Sequence, residues 1–292
     1  MTMRRFRLWL IFVALIASAL PARAEPLKVV ASFSILADLV RNVGGDRVNV
    51  TSLVGPDSDA HVYSPTPADA KRIADAKLII VNGLGFEGWL PRLVQSSGSK
   101  AKVVTASDGV TPLRLGTDAD PHAWQSVGNA KIYVGNIRTA LSAADPANAE
   151  QYRANAEAYL AKLDALDREV RDAVAKLPPA RRKVISTHNA FGYFAASYGI
   201  EFIAPLGVST ESEPSARDIA KIITQIKQAE IPAVFLENIT DPRLMQRISA
   251  ETGARVGGTL YSDGLTGEKG DAPTYIDMVR HNIKALTRAL GD

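Results

Sequence analysis

The stretch ANAEQYRANAEAYLAKLDALDREVRDAVAKL, residues 147–177, contains neither glycine nor proline. Tyr152, Ala156, Leu160, Leu163, Leu166, Val170, Val174 and Leu177 recur in it every three or four residues, the spacing of one apolar stripe on an α-helix. Pro178-Pro179 ends the pattern, because proline lacks the N–H that a continuing helix needs. At 1.5 Å per residue such a helix runs about 45 Å, the span of a whole small protein. The stripe reads as core packing, and Arg168, Glu169, Arg171 and Asp172 read as a solvated face. A helix of this length in mid-chain, packed along what precedes and follows it, permits only small motions between the two.

The flanking sequence has one style on both sides. Before the helix, short apolar runs at 27–31, 48–54, 78–81 and 102–105 alternate with helical patterns at 35–43, 67–76 and 87–95. After it, runs at 183–186, 201–204, 234–236 and 255–260 alternate with helical patterns at 190–198, 215–229 and 242–252, and 275–290 closes the chain as a helix. Strands alternating with helices predict βαβ units and mainly parallel sheets. The expected fold is therefore α/β: two βα lobes, residues 25–146 and 180–292, joined by one long backbone helix over 147–179. The sequence has no convincing repeat, no low-complexity tract and no extended heptad array.

The first 24 residues are of another kind. Arg4, Arg5 and Arg7 precede an apolar run from Leu8 to Leu20 broken only by Ser18, and Ala22-Arg23-Ala24 follows. A basic start, a short apolar run and an A-x-A site predict a secretory signal peptide cleaved after Ala24. The run is shorter than the roughly 20 residues that a spanning helix needs. The segment carries four Arg and no acid, so its removal takes Lys+Arg from 34 to 30 against 31 Asp+Glu, and the net charge from +3 to −1. The basic balance thus belongs to the targeting segment and gives no support for nucleic-acid binding, which needs a clustered basic face. There is no cysteine. A metal site must then use His, Asp or Glu, and a lipid anchor on an N-terminal cysteine is not expected. The expected location is the periplasm of a two-membrane bacterium.

Three of the four histidines share a setting. His61 lies in Asp59-Ala60-His61-Val62-Tyr63-Ser64-Pro65, after a strand; His122 lies in Asp120-Pro121-His122-Ala123-Trp124, before a helix starting near Ser126; His188 follows the strand at 183–186. In open α/β sheets, ligands sit in the crevice outside the carboxyl ends of the strands, where three such loops can converge. A single loop histidine is more often structural than a ligand, and none of these belongs to a local motif such as H-E-x-x-H. His281, between Arg280 and Asn282 inside the last helix, reads as a solvated surface residue.

The wording around these histidines resembles the solute-binding proteins of zinc and manganese ABC importers, the ZnuA- and TroA-like cluster. The matching stretches are His61-Val62-Tyr63-Ser64-Pro65-Thr66-Pro67, Asn82-Gly83-Leu84-Gly85-Phe86-Glu87, Asp120-Pro121-His122-Ala123-Trp124, His188-Asn189-Ala190-Phe191-Gly192-Tyr193-Phe194 and Leu260-Tyr261-Ser262-Asp263-Gly264-Leu265. The resemblance covers essentially the whole mature chain. It implies a metal site with His61 and His122 from the first lobe and His188 and Asp263 from the second; Asp263 rests on the resemblance alone. Manganese-type relatives usually carry Glu where this chain has His188. Three imidazoles and one carboxylate suit four-coordinate Zn²⁺, whereas more carboxylate suits Mn²⁺. Asp59, Asp120, Glu211 and Glu213 are the candidates for orienting the ligating rings. One departure stands out: many zinc-type relatives carry a His-rich loop before the second ligand, while residues 113–120 hold no His and only Asp118 and Asp120.

The expected function is capture of Zn²⁺, with Mn²⁺ the alternative, and delivery to an inner-membrane ABC permease with its ATP-binding subunit. The protein is expected to be a monomer and not an enzyme, with a metallochaperone as a further candidate partner. An exported zinc hydrolase is the competing reading, although a catalytic zinc keeps an open position that a fourth protein ligand fills. A metal-independent structural module is the third. A P-loop and a G-x-S-x-G elbow are both absent from the sequence, which argues against nucleotide binding and serine hydrolysis.

Overall fold

A computed structural model describes residues 25–291. The expected signal peptide and its cleavage point after Ala24 lie outside the described residues. The first lobe is built on β1 (Leu27–Phe33), β2 (Val48–Val54), β3 (Leu78–Val81) and β4 (Lys102–Thr105), parallel and ordered β2-β1-β3-β4. Between them run α1 (Ser34–Gly44), α2 (Pro67–Asp75) and α3 (Leu90–Ser97). A two-residue hairpin, β5 (Arg114–Leu115) with β6 (Asp118–Ala119), and α4 (Val127–Ala144) lead to α5 (Ala149–Ala175). The second lobe comprises β7 (Lys183–Ile185), α6 (Gly192–Tyr198), β8 (Glu201–Ile203), α7 (Ala216–Gln228), β9 (Ala233–Glu237), α8 (Arg243–Thr252), β10 (Arg255–Leu260) and α9 (Tyr275–Gly291). Its sheet is also parallel, ordered β10-β9-β7-β8. Counted from the opposite edge, the second lobe repeats the order of the first: second, first, third and fourth strand.

Local chemistry explains these elements. β3, LIIV, is buried along its length, as a central parallel strand covered on both faces must be. α2 starts where Thr66 accepts the Asp69 N–H and Asp69 reaches back to Thr66, with Pro67 at the first position, a reciprocal cap that satisfies two otherwise orphaned donors. The helix expected from residue 87 starts only at Leu90. Glu87 is instead turned inward, accepting from Ser32 Oγ at 2.6 Å and from the Asn82 N–H at 2.6 Å. The hairpin was not expected, since its strands are too short and exposed to show an alternating pattern.

α5 buries Tyr152, Ala156, Tyr159, Leu163, Leu166, Val170 and Val174. Tyr159, rather than the half-buried Leu160, carries the stripe in the second turn. The helix packs on α1 and α4 of the first lobe and on α6 and α9 of the second, so one apolar cluster shared by both lobes runs from Val29 to Leu290, with a smaller separate cluster in each lobe. Polar contacts also cross between the lobes. Trp124 Nε1 and Gln125 Nε2 donate to the Ser262 carbonyl at 2.9 and 2.7 Å, the Leu265 N–H to Ser34 Oγ at 2.9 Å, and the Tyr275 N–H to Asp38 Oδ2 at 2.9 Å. Among the described residues, no helix is long and apolar enough to cross a membrane.

Candidate metal centre

Both sheets point the carboxyl ends of their strands at one crevice, and the loops leaving those ends carry the candidate residues. His61 follows β2, His122 lies beyond β4 just after the β5–β6 hairpin, His188 follows β7 and Asp263 follows β10. All four are buried, and one donor atom from each lies within 4.8 Å of the others. His122 Nε2 is 3.2 Å from His61 Nε2 and 3.3 Å from His188 Nε2. Asp263 Oδ2 is 3.3 Å from His61 Nε2 and 3.1 Å from His188 Nε2, and its Oδ1 is 3.5 Å from His122 Nε2. Four donors placed 2.0–2.1 Å from a central ion would be spaced at tetrahedral edges of about 3.3–3.4 Å.

The electrostatics agree with that spacing. Both Asp263 oxygens are buried and accept no hydrogen bond, a costly state for a carboxylate unless a cation faces it. Burial alone would raise the Asp263 pKa, but His122 and His188 beside it hold it well below the usual carboxylate range. Burial likewise opposes charge on His188, yet Glu237 and Asp263 raise its pKa well above that of a free imidazole. His122 is raised in the same way, burial being outweighed by Asp263 and Asp120. The pocket is built for positive charge, whether carried by protons or by an ion.

Two carboxylates fix which nitrogen faces the crevice. His122 Nδ1 lies 2.8 Å from Asp120 Oδ1, and His188 Nδ1 lies 2.5 Å from Glu237 Oε2. A carboxylate can only accept, so each Nδ1 carries the hydrogen and each neutral ring offers its Nε2 lone pair inward. Glu237 also accepts from the backbone N–H groups of Thr187 and His188 at 2.8 and 3.0 Å, and from Ser262 Oγ at 2.9 Å. One side chain at the end of β9 thus holds the segments carrying both second-lobe candidates. On Asp120, the other oxygen sits where a side chain on Gly192 would be, 2.5 Å from the position of a Cβ. Glycine at 192 is what lets the two lobes meet there.

Of the four candidate orienting residues, Asp120 is the one that meets a candidate ring. Asp59 instead accepts the His61 backbone N–H at 2.8 Å and Thr210 Oγ1 from the second lobe at 2.5 Å. Glu211 and Glu213 are exposed and bond neither ring, because their loop runs along the crevice rim. Glu237 was missed; its sequence signal is an acid ending the apolar run of β9. His281 is half-buried rather than solvated, because α9 lies on β10. Its Nε2 reaches the Thr259 carbonyl at 3.1 Å and its ring meets Tyr261 edge-on at 4.8 Å, away from the four-residue cluster.

Comparison with known proteins agrees with this architecture. The sequence model of the zinc-uptake complex component A periplasmic family, ZnuA, matches residues 29–289. The iron-binding protein YfeA of Yersinia pestis is 37% identical, the match covering 96% of this chain and 93% of the relative. The manganese-binding lipoprotein MntA of Halalkalibacterium halodurans is 36% identical, with 98% of each covered. Among solved structures, the periplasmic zinc-binding protein TroA from Treponema pallidum superposes with a TM-score of 0.87 at 31% identity, covering 91% of this chain and 99% of that one. The Mn-bound periplasmic metal-binding protein from Candidatus Liberibacter asiaticus gives 0.83 at 32% identity, covering 90% and 99%. The chain belongs to the ZnuA family of extracytoplasmic metal-binding proteins that serve ABC transporters.

Proposed function

We propose that this protein captures Zn²⁺ in the periplasm with His61, His122, His188 and Asp263 and delivers it to an inner-membrane permease driven by an ATP-binding subunit. The observation that carries the reading is the buried Asp263 carboxylate, with both oxygens unbonded and three imidazole nitrogens 3.1–3.5 Å away. Residues 25–146 and 180–292 act as the capturing lobes, and 147–179 as the strut between them. Four protein donors leave no open position for an attacking water, which supports cargo binding over hydrolysis. Three nitrogens and one oxygen favour Zn²⁺ over Mn²⁺ both by donor type and by general affinity order. Several relatives are named lipoproteins, but this sequence has no cysteine to carry the lipid, and a freely diffusing carrier is the form proposed.

Mn²⁺ is the second reading, favoured by the relatives named for manganese. Both Asp263 oxygens face the cluster, so bidentate binding could raise the coordination number beyond four. Calorimetric titration of the chelator-stripped protein with Zn²⁺, then with Mn²⁺ in competition, separates the two. Tight one-to-one Zn²⁺ binding that Mn²⁺ does not displace is expected. Preference for Mn²⁺ overturns the metal, and no binding of either overturns the reading.

A further inference from the structure

The four donors are not held alike. His122, His188 and Asp263 are completely buried, and the two imidazoles are each clamped at Nδ1 by a carboxylate. His61 is 7% exposed, and among the described residues its Nδ1 makes no hydrogen bond. Its ring is held instead by packing: the Phe86 ring meets it edge-on, 4.7 Å between centroids. His61 also lines an open cavity of about 400 Å³, together with Leu84, Gly85, Phe86, Asp118 and Glu211. At ~30 Å³ per water, that space holds a hydrated cation or a small heterocycle.

The wall carrying Phe86 is a built feature. Gly83, Leu84 and Gly85 all have left-handed backbone, φ 86, 55 and 83, a conformation that is strained for leucine. The buried Glu87 carboxylate anchors the turn by accepting the N–H groups of Asn82 and Gly83 at 2.6 and 3.2 Å. Asn82 in turn donates to the carbonyl of Pro121, the residue before His122, at 2.9 Å. The loop therefore holds the His122 segment by hydrogen bonds and the His61 ring by an aromatic edge alone.

We infer that the cation comes and goes past His61, which is the exchanging ligand, with Phe86 as the positioning residue that keeps its ring in place. The inference rests on the four-residue metal site proposed above. An ion reaching the crevice through the cavity meets His61 first, and on release His61 is the one imidazole that can swing into open space without breaking a clamp, Asp263 being unclamped but fully enclosed. The other three remain as a fixed half-shell.

Chemical rescue tests this, with Co²⁺ as the spectroscopic probe. The wild type, His61→Ala and His188→Ala are titrated with and without imidazole. Both substitutions weaken Co²⁺ binding. Imidazole at the tens of millimolar that stand in for a tethered side chain restores affinity about tenfold or more in His61→Ala, where the cavity admits it, and leaves His188→Ala unrescued. Equal rescue of both, rescue of His188→Ala alone, or no rescue of His61→Ala overturns the inference. A wild type that fails to bind Co²⁺ at all overturns the metal site beneath it, a result distinct from any rescue pattern. Phe86→Leu supplies a second measurement. Release of Zn²⁺ to excess chelator is expected to quicken about tenfold with association unchanged, as for loss of a ligand's outer support; an unchanged release rate overturns the positioning role.

Discussion

A carboxylate left without a hydrogen bond, three imidazoles that share one focus, and two acids that set the tautomers of His122 and His188 define what single substitutions should do. Alanine at His61, His122 or His188 removes a donor and should cost more than the ~10–100-fold in Zn²⁺ affinity that loss of an outer partner costs. His281→Ala should leave the titration curve unchanged, since that ring is engaged with Thr259 and Tyr261. Glu237→Gln keeps acceptor oxygen for the Thr187 and His188 N–H groups but removes the charge beside His188 Nδ1; a loss of ~10–100-fold is expected by calorimetry. The pH dependence has a definite sign. Metal must displace protons from imidazole, and the folded metal-free protein holds those on His188 and His122 more tightly than a free ring does. Zn²⁺ affinity should therefore start to fall above pH 6.5 as the solution is acidified. In the metal-free protein the same raised values stabilise the fold below the unfolded imidazole pKa, and that contribution is lost as pH rises through the folded values.

Helices α1 and α9, far apart in sequence, are fastened by Asp38, whose Oδ2 accepts the N–H of Tyr275 at 2.9 Å. Burial lifts its pKa to about 6, against the pull of the Tyr275 N–H and Arg41 and with Asp277 adding to the rise. The folded state thus keeps a proton that the unfolded chain gives up, so the contribution of Asp38 to stability is fullest below about pH 4 and is lost as pH climbs through about 6. Asp38→Asn retains an acceptor for Tyr275 without the charge. It should raise stability at pH 7.5 by ~1–3 kcal/mol and flatten that part of the profile, as read by urea unfolding across pH. Element by element, the sequence was legible where burial was two-sided or an interruption was missing. β3 stands out as LIIV, and α5 as 27 residues without glycine or proline. The β5–β6 hairpin was not legible, because two-residue exposed strands leave no pattern. The three crevice histidines could be singled out as candidates by residue type and by their place in loops between strands and helices, with the family resemblance turning that hint into a site. Asp263 could not, being one of many aspartates and reached only through family resemblance. Glu237 and Glu87 escaped because an acid's role is set by what packs over it, which a local reading does not contain.

For the molecule as a whole, cation binding and folding are linked. A ligand that binds only the native state adds RT ln(1 + [L]/Kd), ~2.7 kcal/mol at a hundredfold excess over Kd. A clear rise in thermal midpoint with Zn²⁺, abolished by chelator, is the expected outcome of a scanning-calorimetry comparison. The lobes should not move far in response. They share one apolar core from Val29 to Leu290 and cross-lobe hydrogen bonds that do not involve the metal donors. Solution scattering curves of stripped and loaded protein are expected to superimpose.

The absence of glycine and proline from the 27 residues of α5 bears on how cargo is announced to the transporter. A carrier with no hinge in its spine cannot signal occupancy by changing its silhouette. The message has to be written at the rim of the crevice, in where the His61 ring stands, and a permease that distinguishes full from empty must read that text at close range.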